Sequence, residues 1–368
     1  MPMTHDDPVL QALVDRVRAA RADRTPLCIR GGDSKGFYGE AAQGASFDVT
    51  ALRGISSYEP TELVVTARCG TPLAELEAAL AEYGQCLPFE PPHFGPGATL
   101  GGMVGAGLAG PARAAVGGVG DYVLGATLLS GRAEVLSFGG QVMKNVAGYD
   151  LSRLLVGAMG TLGVVCEVSL KVLPVARATA TLRFDLAQAA AIAQINAWAG
   201  QPLPINASAW WNDTLVVRLQ GAVAAVNAAV AKLGGERIEA PQACDFWAGL
   251  REQTDNHFAA ARRQIDATPA LRLWRLSVPQ TAAPLALPGE QLIEWGGALR
   301  WLCSMEPASR VREAAAAAGG HATIFRAHDK TPGVFTPLRA PLDRIQRELK
   351  LSFDPDGIFN PGRLCPGR

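Results

Sequence analysis

Apolar positions recur along this chain with two spacings, and the alternation between the spacings divides it into elements. Over residues 8–22, Val9, Leu10, Leu13, Val14 and Val17 fall on one face at helical spacing. PLCIRGG then reads as a short buried strand ending in glycines, and ELVVTARCG as another strand. Thr71–Pro72 marks a helix start with Pro at the first helical position. Leu73, Leu76, Leu80 and Tyr83 share one face, and Gly84 stops that helix. YVLGATLLSGRAEVLSFGG alternates as a hairpin with turns at Ser130–Gly131 and Gly139–Gly140. TLGVVCEVSLKVLPV is a long β-rich segment that Pro174 closes.

The texture changes near residue 176. ATATLRFDL, AQAAAIAQINAWAG, INASAWWNDTLVVRLQG with a turn at Asn212–Asp213, AVAAVNAAVAKLGG and ERIEA predict the order β-α-β-β-α-β. That order suggests a ferredoxin-like sandwich. A helix near Asp245–Asp255, strands around Leu271–Val278 and Gln291–Ser304, an Ala-rich helix near Ala308–Ala318 and the strand HATIFRA follow. The tail SFDPDGIFNPGRLCPGR is rich in turn residues, and the chain carries no internal sequence repeat.

Composition narrows the picture. With 368 residues, 48% of them apolar, the chain has material for two ordinary domains and a large core. A formal net charge of zero gives no electrostatic case for nucleic acid or an anionic membrane surface as main partner. Cysteines stand apart at 28, 69, 86, 166, 244, 303 and 365, with no Cys-x-x-Cys pair, so neither a zinc ribbon nor an iron–sulfur site is read here. Scattered thiols fit a reducing compartment. The first residues lack a basic start followed by an apolar core, and no run of ~18 apolar residues occurs, so the expected location is the cytoplasm with no membrane span.

The glycines concentrate within the first texture. RGGDSKG (Arg30, Gly31, Gly32, Asp33, Ser34, Lys35, Gly36) leaves an apolar strand and enters a turn whose amides, hydroxyl and cations suit a diphosphate. A plain surface turn is the alternative. GATLGGMVGAGLAG is a second such loop, in which Thr99 and the N–H groups of Leu100, Gly101 and Gly102 are placed to close on the same ligand; close helix packing is its alternative. Neither loop is a Rossmann fingerprint, because GMVGAGLAG does not follow a strand, and no Gly-Lys-Ser/Thr of a phosphate loop occurs.

Taken in order, RGGDSKG, ELVVTARCGTPLAELEAALAEYG, GATLGGMVGAGLAGP, VGGVGDYVLGATLLSG, KNVAGYDLSRLLVGAMGTLGVVCEVSLKVLP and FDPDGIFNPGRL resemble the FAD-binding domain of the vanillyl-alcohol-oxidase/p-cresol-methylhydroxylase (PCMH-type) flavoproteins. Within that group the chain is similar to the E subunits of bacterial glycolate oxidases. The resemblance covers essentially the whole chain, most strongly 25–175 and 340–364. It implies an α+β fold: a two-subdomain FAD-binding domain (1–175), a ferredoxin-like α+β cap (176–335) and a segment (336–368) returning to the first domain.

It also implies site roles. Arg30 to Gly36 would grip the FAD diphosphate, joined by Pro96, Thr99, Leu100, Gly101 and Gly102. Gly105, Gly107 and Arg113 would run along the ribityl and flavin, Gly120 and Asp121 would line the cofactor, and Gly160, Gly163, Val164 and Val165 would approach it through backbone groups. Many relatives bond the flavin covalently through a first-loop His or a nearby Cys; RGGDSKG has neither, so the FAD is expected to be non-covalent. Related hydroxyacid dehydrogenases carry an H-x-G-D-G-N-x-H type metal pattern that is absent here, so no metal is expected. Arg326 and His328 in FRAHDK are the candidate carboxylate clamp and base, with a polar surface role as alternative. Lys144, Asn145 and Tyr149 either face the flavin or pack, and Asn360 either caps a turn or touches the ring. The implied activity is oxidation of glycolate or D-lactate beside the D (flavin) and F (iron–sulfur) subunits of a glycolate oxidase, with electrons passing to quinone. A non-catalytic assembly or electron-relay role, and peripheral placement at the inner membrane through the complex, are the alternatives.

Overall fold

The computed structural model describes residues 7–41, 43–140 and 150–365. Contacts group the chain into two units, one of Met1–Leu108, Gly118–Pro174 and Pro337–Arg368, the other of Ala109–Gly117 and Val175–Thr336.

In the first unit, helix α1 (Pro8–Asp23) starts at Asp7, whose carboxylate accepts from the N–H of Val9 at 2.9 Å and of Leu10 at 3.3 Å. Its stripe of Leu10, Leu13, Val14 and Val17 packs with Leu27, Phe47, Leu129, Val164, Ile358 and Phe359. Strand β1 (Leu27–Arg30) pairs in parallel with β2 (Ala45–Asp48). The late segment joins the same strand: Leu27 N–H donates to Ile358 at 2.7 Å and Asn360 N–H to Leu27 at 2.9 Å. Strands β3 (Ile55–Glu59) and β4 (Val64–Arg68) belong to an antiparallel five-stranded sheet. Helix α2 (Leu73–Ala81) begins one residue later than the pattern predicts, with Pro72 as its cap. Tyr83 lies past its end, 60% exposed, and meets Tyr58 edge-on at 5.2 Å; it is not on the buried face its spacing suggested. The short β5 (Gln85–Cys86), helix α3 (Leu100–Ala106), the hairpin β6 (Val123–Leu129) and β7 (Val135–Gly139), then β8 (Val164–Lys171) and β9 (Leu173–Pro174) complete this part. The sheet order is β3-β4-β8-β6-β7, and β5 pairs with β9.

The second unit opens with the short helix α4 (Arg113–Val116). Its main body runs β10 (Ala178–Asp185), α5 (Gln188–Ala199), β11 (Ile205–Trp211), β12 (Thr214–Gly221), α6 (Val223–Leu233) and β13 (Glu236–Ile238). These strands lie in the order β13-β10-β12-β11, every pair antiparallel, which is the ferredoxin-like arrangement. Asn212 and Asp213 both take positive φ (48° and 55°) to make the tight β11–β12 turn. Helices α7 (Ala240–Glu252) and α8 (Asn256–Ala267) follow, then β14 (Arg272–Ser277), β15 (Glu290–Glu294), β16 (Leu299–Ser304), α9 (Ala308–Ala317) and β17 (His321–Arg326). Their order β17-β14-β16-β15 repeats the first arrangement, and β11 joins β15 antiparallel to make one eight-stranded sheet. The helix that would link β14 to β15 is replaced by residues 279–289, where Pro279, Pro284 and Pro288 withhold amides. The unit is therefore a structural duplication that leaves no sequence repeat. Helix α10 (Leu342–Phe353) then belongs to the first unit. No helix of the described residues is long and apolar enough to cross a membrane.

Candidate cofactor-binding site

The first glycine loop keeps its donors bare. After β1 the chain turns through Gly31–Gly36, with Asp33 at φ 55°. The N–H groups of Gly31, Gly32, Asp33 and Ser34 have no acceptor among the described residues, whereas Gly36 N–H returns to the Asp33 carbonyl at 3.0 Å. Adjacent unpaired amides form a concave anion site. Arg30 reaches the Asp33 carboxylate at 2.5 Å, so the loop's acid is already paired. Gly32 is glycine for a steric reason: a Cβ there would stand 1.4 Å from the Gly97 carbonyl oxygen.

The second loop is different, and here the sequence reading needs correction. Leu100 N–H donates to Thr71 at 2.9 Å and Gly101 N–H to Cys69 at 2.7 Å, both main-chain carbonyls. Gly102 N–H donates to Thr99 Oγ1 at 3.2 Å, the cap of α3. None of these three amides is left for a ligand. A Cβ on Gly101 would meet Cys69 Cβ at 2.8 Å, so close packing explains that glycine. Burial pushes the thiols of Cys69 and Cys166 up, the latter to about 12, which keeps both neutral.

A third wall comes from the turn before β8. Met159 N–H donates to Gly105 at 2.9 Å, and Asn360 Nδ2 donates to Met159 at 2.6 Å. Asn360 Oδ1 accepts from Ile29 N–H at 2.7 Å, so this side chain ties the turn to β1. Arg363 donates to the carbonyls of Gly36 (3.0 Å), Tyr38 (2.5 Å) and Glu40. No carboxylate forms an ion pair with it among the described residues, and burial holds its guanidinium below the usual range. The direct contacts of this half-buried cation are carbonyls, and the Asp33 and Glu40 charges act on it from a distance.

These walls enclose a cavity of about 320 Å³. Of the residues proposed from sequence, Arg30, Gly31, Gly32, Asp33, Ser34, Lys35, Gly36, Thr99, Gly101, Gly102, Gly105, Gly160, Gly163, Val164 and Val165 line it. Pro96, Leu100, Gly107, Arg113, Gly120 and Asp121 do not. Leu100 is fully buried in the core. Gly107 ends α3 at φ 61°. Asp121 accepts from Gly118 N–H at 2.7 Å. Arg113 lies in the second unit with its guanidinium 4.7 Å from the Trp295 ring centre. Lys144, Asn145 and Tyr149 fall outside the described residues. Sequence reasoning missed Arg363, Tyr38 and Met159 as lining residues. Arg363 sits three residues past Asn360 in the quoted FNPGRL, but a cation in a Gly/Pro turn reads as solvated.

The candidate catalytic pair is in the second unit. Arg326 ends β17, and burial lowers its guanidinium to about 10, with Arg262 adding repulsion. His328 is exposed, its Nε2 3.2 Å from Asp266 Oδ1. Neither lines the loop cavity. No group of three His, Cys, Asp or Glu fit for a metal occurs among the described residues.

Four bare amides, the half-buried Arg363 guanidinium with no ion pair among the described residues, and apolar Ile29, Val49, Ala106, Val164 and Val165 fit a dinucleotide with a charged middle. Residues 10–139 match the family model described as an FAD binding domain. The fold is that of alkyldihydroxyacetonephosphate synthase, with a TM-score of 0.65 over 98% of this chain and 76% of that one at 14% identity. This is an FAD-binding oxidoreductase chain of the PCMH type. The chain is 50% identical over 354 residues to glycolate oxidase subunit GlcE of Escherichia coli (strain K12), covering 96% of this chain and 97% of that protein, and it belongs to the GlcE family. It is also 31% identical over 128 residues to a mitochondrial D-lactate dehydrogenase [cytochrome] of Arabidopsis thaliana, a stretch covering 35% of this chain and 22% of that protein. Glycolate oxidase subunit GlcD of Bacillus subtilis (strain 168) matches at 31% over 123 residues, 33% of this chain and 26% of that one.

Proposed function

We propose that this chain is the FAD-binding subunit of a glycolate oxidase complex that oxidises glycolate, or a short relative such as D-lactate, to the 2-oxo acid. A larger flavoprotein of the GlcD kind works beside it, and electrons leave through an iron–sulfur partner to quinone. The near-full-length likeness to the E. coli GlcE subunit supports this reading. The first unit is assigned to the cofactor. Amides of Gly31 to Ser34 and the Arg363 guanidinium would hold the pyrophosphate; Ile29, Val164 and Val165 would wall the apolar ends. Attachment is non-covalent in this reading: among the described residues the cavity lining has no histidine, and the cysteine there, Cys28, is a buried strand residue. FAD, when bound, supplies the two-electron acceptor. The second unit is assigned to substrate or to docking. In the catalytic version Arg326 binds the substrate carboxylate and His328, oriented by Asp266, accepts the hydroxyl proton. The chain is placed in the cytoplasm, and the complex supplies any contact with the inner membrane.

A second reading, an assembly or electron-relay subunit, is favoured by the exposure of His328. One experiment separates the two. The chain is purified alone, its acid-released flavin is counted, and glycolate is added anaerobically. Yellow protein that bleaches without the flavoprotein and iron–sulfur partners supports catalysis here. Bleaching only when both partners are present supports the relay. A folded, colourless chain would sink both cofactor roles.

A further inference from the structure

On α10 the side chain of Lys350 is turned from water: it is 19% exposed, and the acid it meets, Asp354, is fully buried. Its Nζ donates to the Thr161 carbonyl at 2.7 Å, the Phe359 carbonyl at 2.8 Å and Asp354 Oδ2 at 2.5 Å. An ammonium carries three donors, and these three acceptors take one each. Asp354 is fixed in turn, since Oδ1 accepts from Ile358 N–H at 3.1 Å and Oδ2 from Phe359 N–H at 2.8 Å. Gly131 leaves room for that carboxylate: a Cβ there would stand 2.4 Å from Asp354 Oδ1. Burial holds the ammonium below its usual range, and the Asp354 charge opposes the shift.

Neither Lys350 nor Asp354 lines the loop cavity, but the two segments they hold do. Thr161 lies inside the turn that gives the cavity Met159, Gly160 and Gly163, at φ of 50°, 71° and 148°. Phe359 precedes Asn360, which lines the cavity as well and donates to Met159 at 2.6 Å. Lys350 is therefore a single point at which α10 fastens two walls from behind. Removing its charge would leave Asp354 buried without its counter-ion and both carbonyls without this donor. We propose that Lys350 is a positioning residue for the bound FAD: it fixes the 158–163 turn against residues 358–360 and so sets flavin affinity. The proposal rests on the cofactor reading of the loop cavity and adds to it a residue outside the lining.

The test uses the full chain, stripped of flavin and titrated with FAD by flavin fluorescence well below its melting temperature. Wild type that binds no FAD overturns the cofactor reading and this proposal with it. Where the wild type binds, the variants decide the role of Lys350 alone. Lys350→Ala is expected to weaken binding about tenfold or more. Propylammonium chloride supplies the missing carbons and ammonium, and a second cavity of about 510 Å³, lined in part by Thr161, Lys350 and Asp354, gives it a route in. It is expected to restore affinity to within about threefold of the wild type, whereas uncharged 1-propanol at the same concentration is not. Unchanged affinity in Lys350→Ala, a loss that propylammonium does not reverse, or one that 1-propanol reverses as well, overturns the proposal. If Lys350→Ala does not fold, Lys350→Met, which keeps a straight apolar stem, replaces it. A loss of about tenfold with the amides of α1 and β1 still protected from exchange then supports the proposal. Unchanged affinity, or a loss that comes with exposure of those amides, overturns it.

Discussion

Residues 30–36 and 95–102 look alike in composition, both poor in side chains and rich in glycine, yet they solve opposite problems. In the first, four successive amides face no protein acceptor among the described residues. In the second, the amides of Leu100, Gly101 and Gly102 are consumed by Thr71, Cys69 and Thr99. One loop leaves its backbone donors open. The other spends its backbone on bracing α3 against the strand that ends at Cys69, and so holds the first loop in place from behind. Glycine therefore signals close approach, and only the hydrogen-bond partners say whether the approaching body is a cofactor or the protein itself.

The largest expected effect tests the seam between the loops. Gly32→Ala places a Cβ where the Gly97 carbonyl oxygen stands, 1.4 Å away, and no rotamer moves a Cβ. Flavin affinity, measured by fluorescence titration, is expected to fall more than about 100-fold, on the scale of ~3 kcal/mol for a forced backbone shift. Normal affinity would mean that the loops do not meet. Next comes Arg363→Ala, which strips three carbonyls of their donor and removes the half-buried cation. A roughly 30-fold loss, about 2 kcal/mol, is expected, with Arg363→Lys recovering part of it; full recovery by a neutral Gln would remove the charge argument. Amide exchange discriminates the loops directly. Exchange at residues 31–34 is expected to slow about tenfold or more when FAD is added, while 100–102 are already slow without it. Slowing at both loops alike would erase the contrast. The smallest effect is Thr99→Val, which removes the α3 cap at a cost of about 1 kcal/mol in melting experiments while flavin affinity stays within about twofold. A tenfold loss of affinity would show that the Thr99 hydroxyl faces the ligand after all.

Much of this was legible in the chain because it depends on neighbours in sequence. The stripe of α1, the buried run of β1 and the β-α-β-β-α-β order of 178–238 are local patterns, and the structure follows them. The second ferredoxin-like half was hidden because prolines replace its first helix, so the pattern of its twin is broken where it would be recognised. Strands β15 and β16 were read as one segment because Trp295–Gly297, the turn between them, carries only a short break in an apolar run. Helix α10 has helical spacing at Leu342, Ile345 and Leu349 but lies next to a turn-rich tail, and Leu342 and Ile345 are exposed. At the site, the first loop was readable from composition. The fate of the second loop's amides was not, because their acceptors at Cys69 and Thr71 lie some thirty residues upstream and pairing of that kind leaves no periodic trace. Arg363 was missed for the same reason: its burial arises from carbonyls more than three hundred residues earlier.

The segment from Ile358 to Arg363 locks onto β1 and onto the loop that follows it. Those residues leave the ribosome after every other part of the cavity wall. A nascent chain stalled before them carries the glycine loops but not Asn360 or Arg363 to fasten them. If that segment fastens the flavin site, a chain clipped near residue 357 is expected to lose colour together with the α1–β1 core that Ile358 and Phe359 complete.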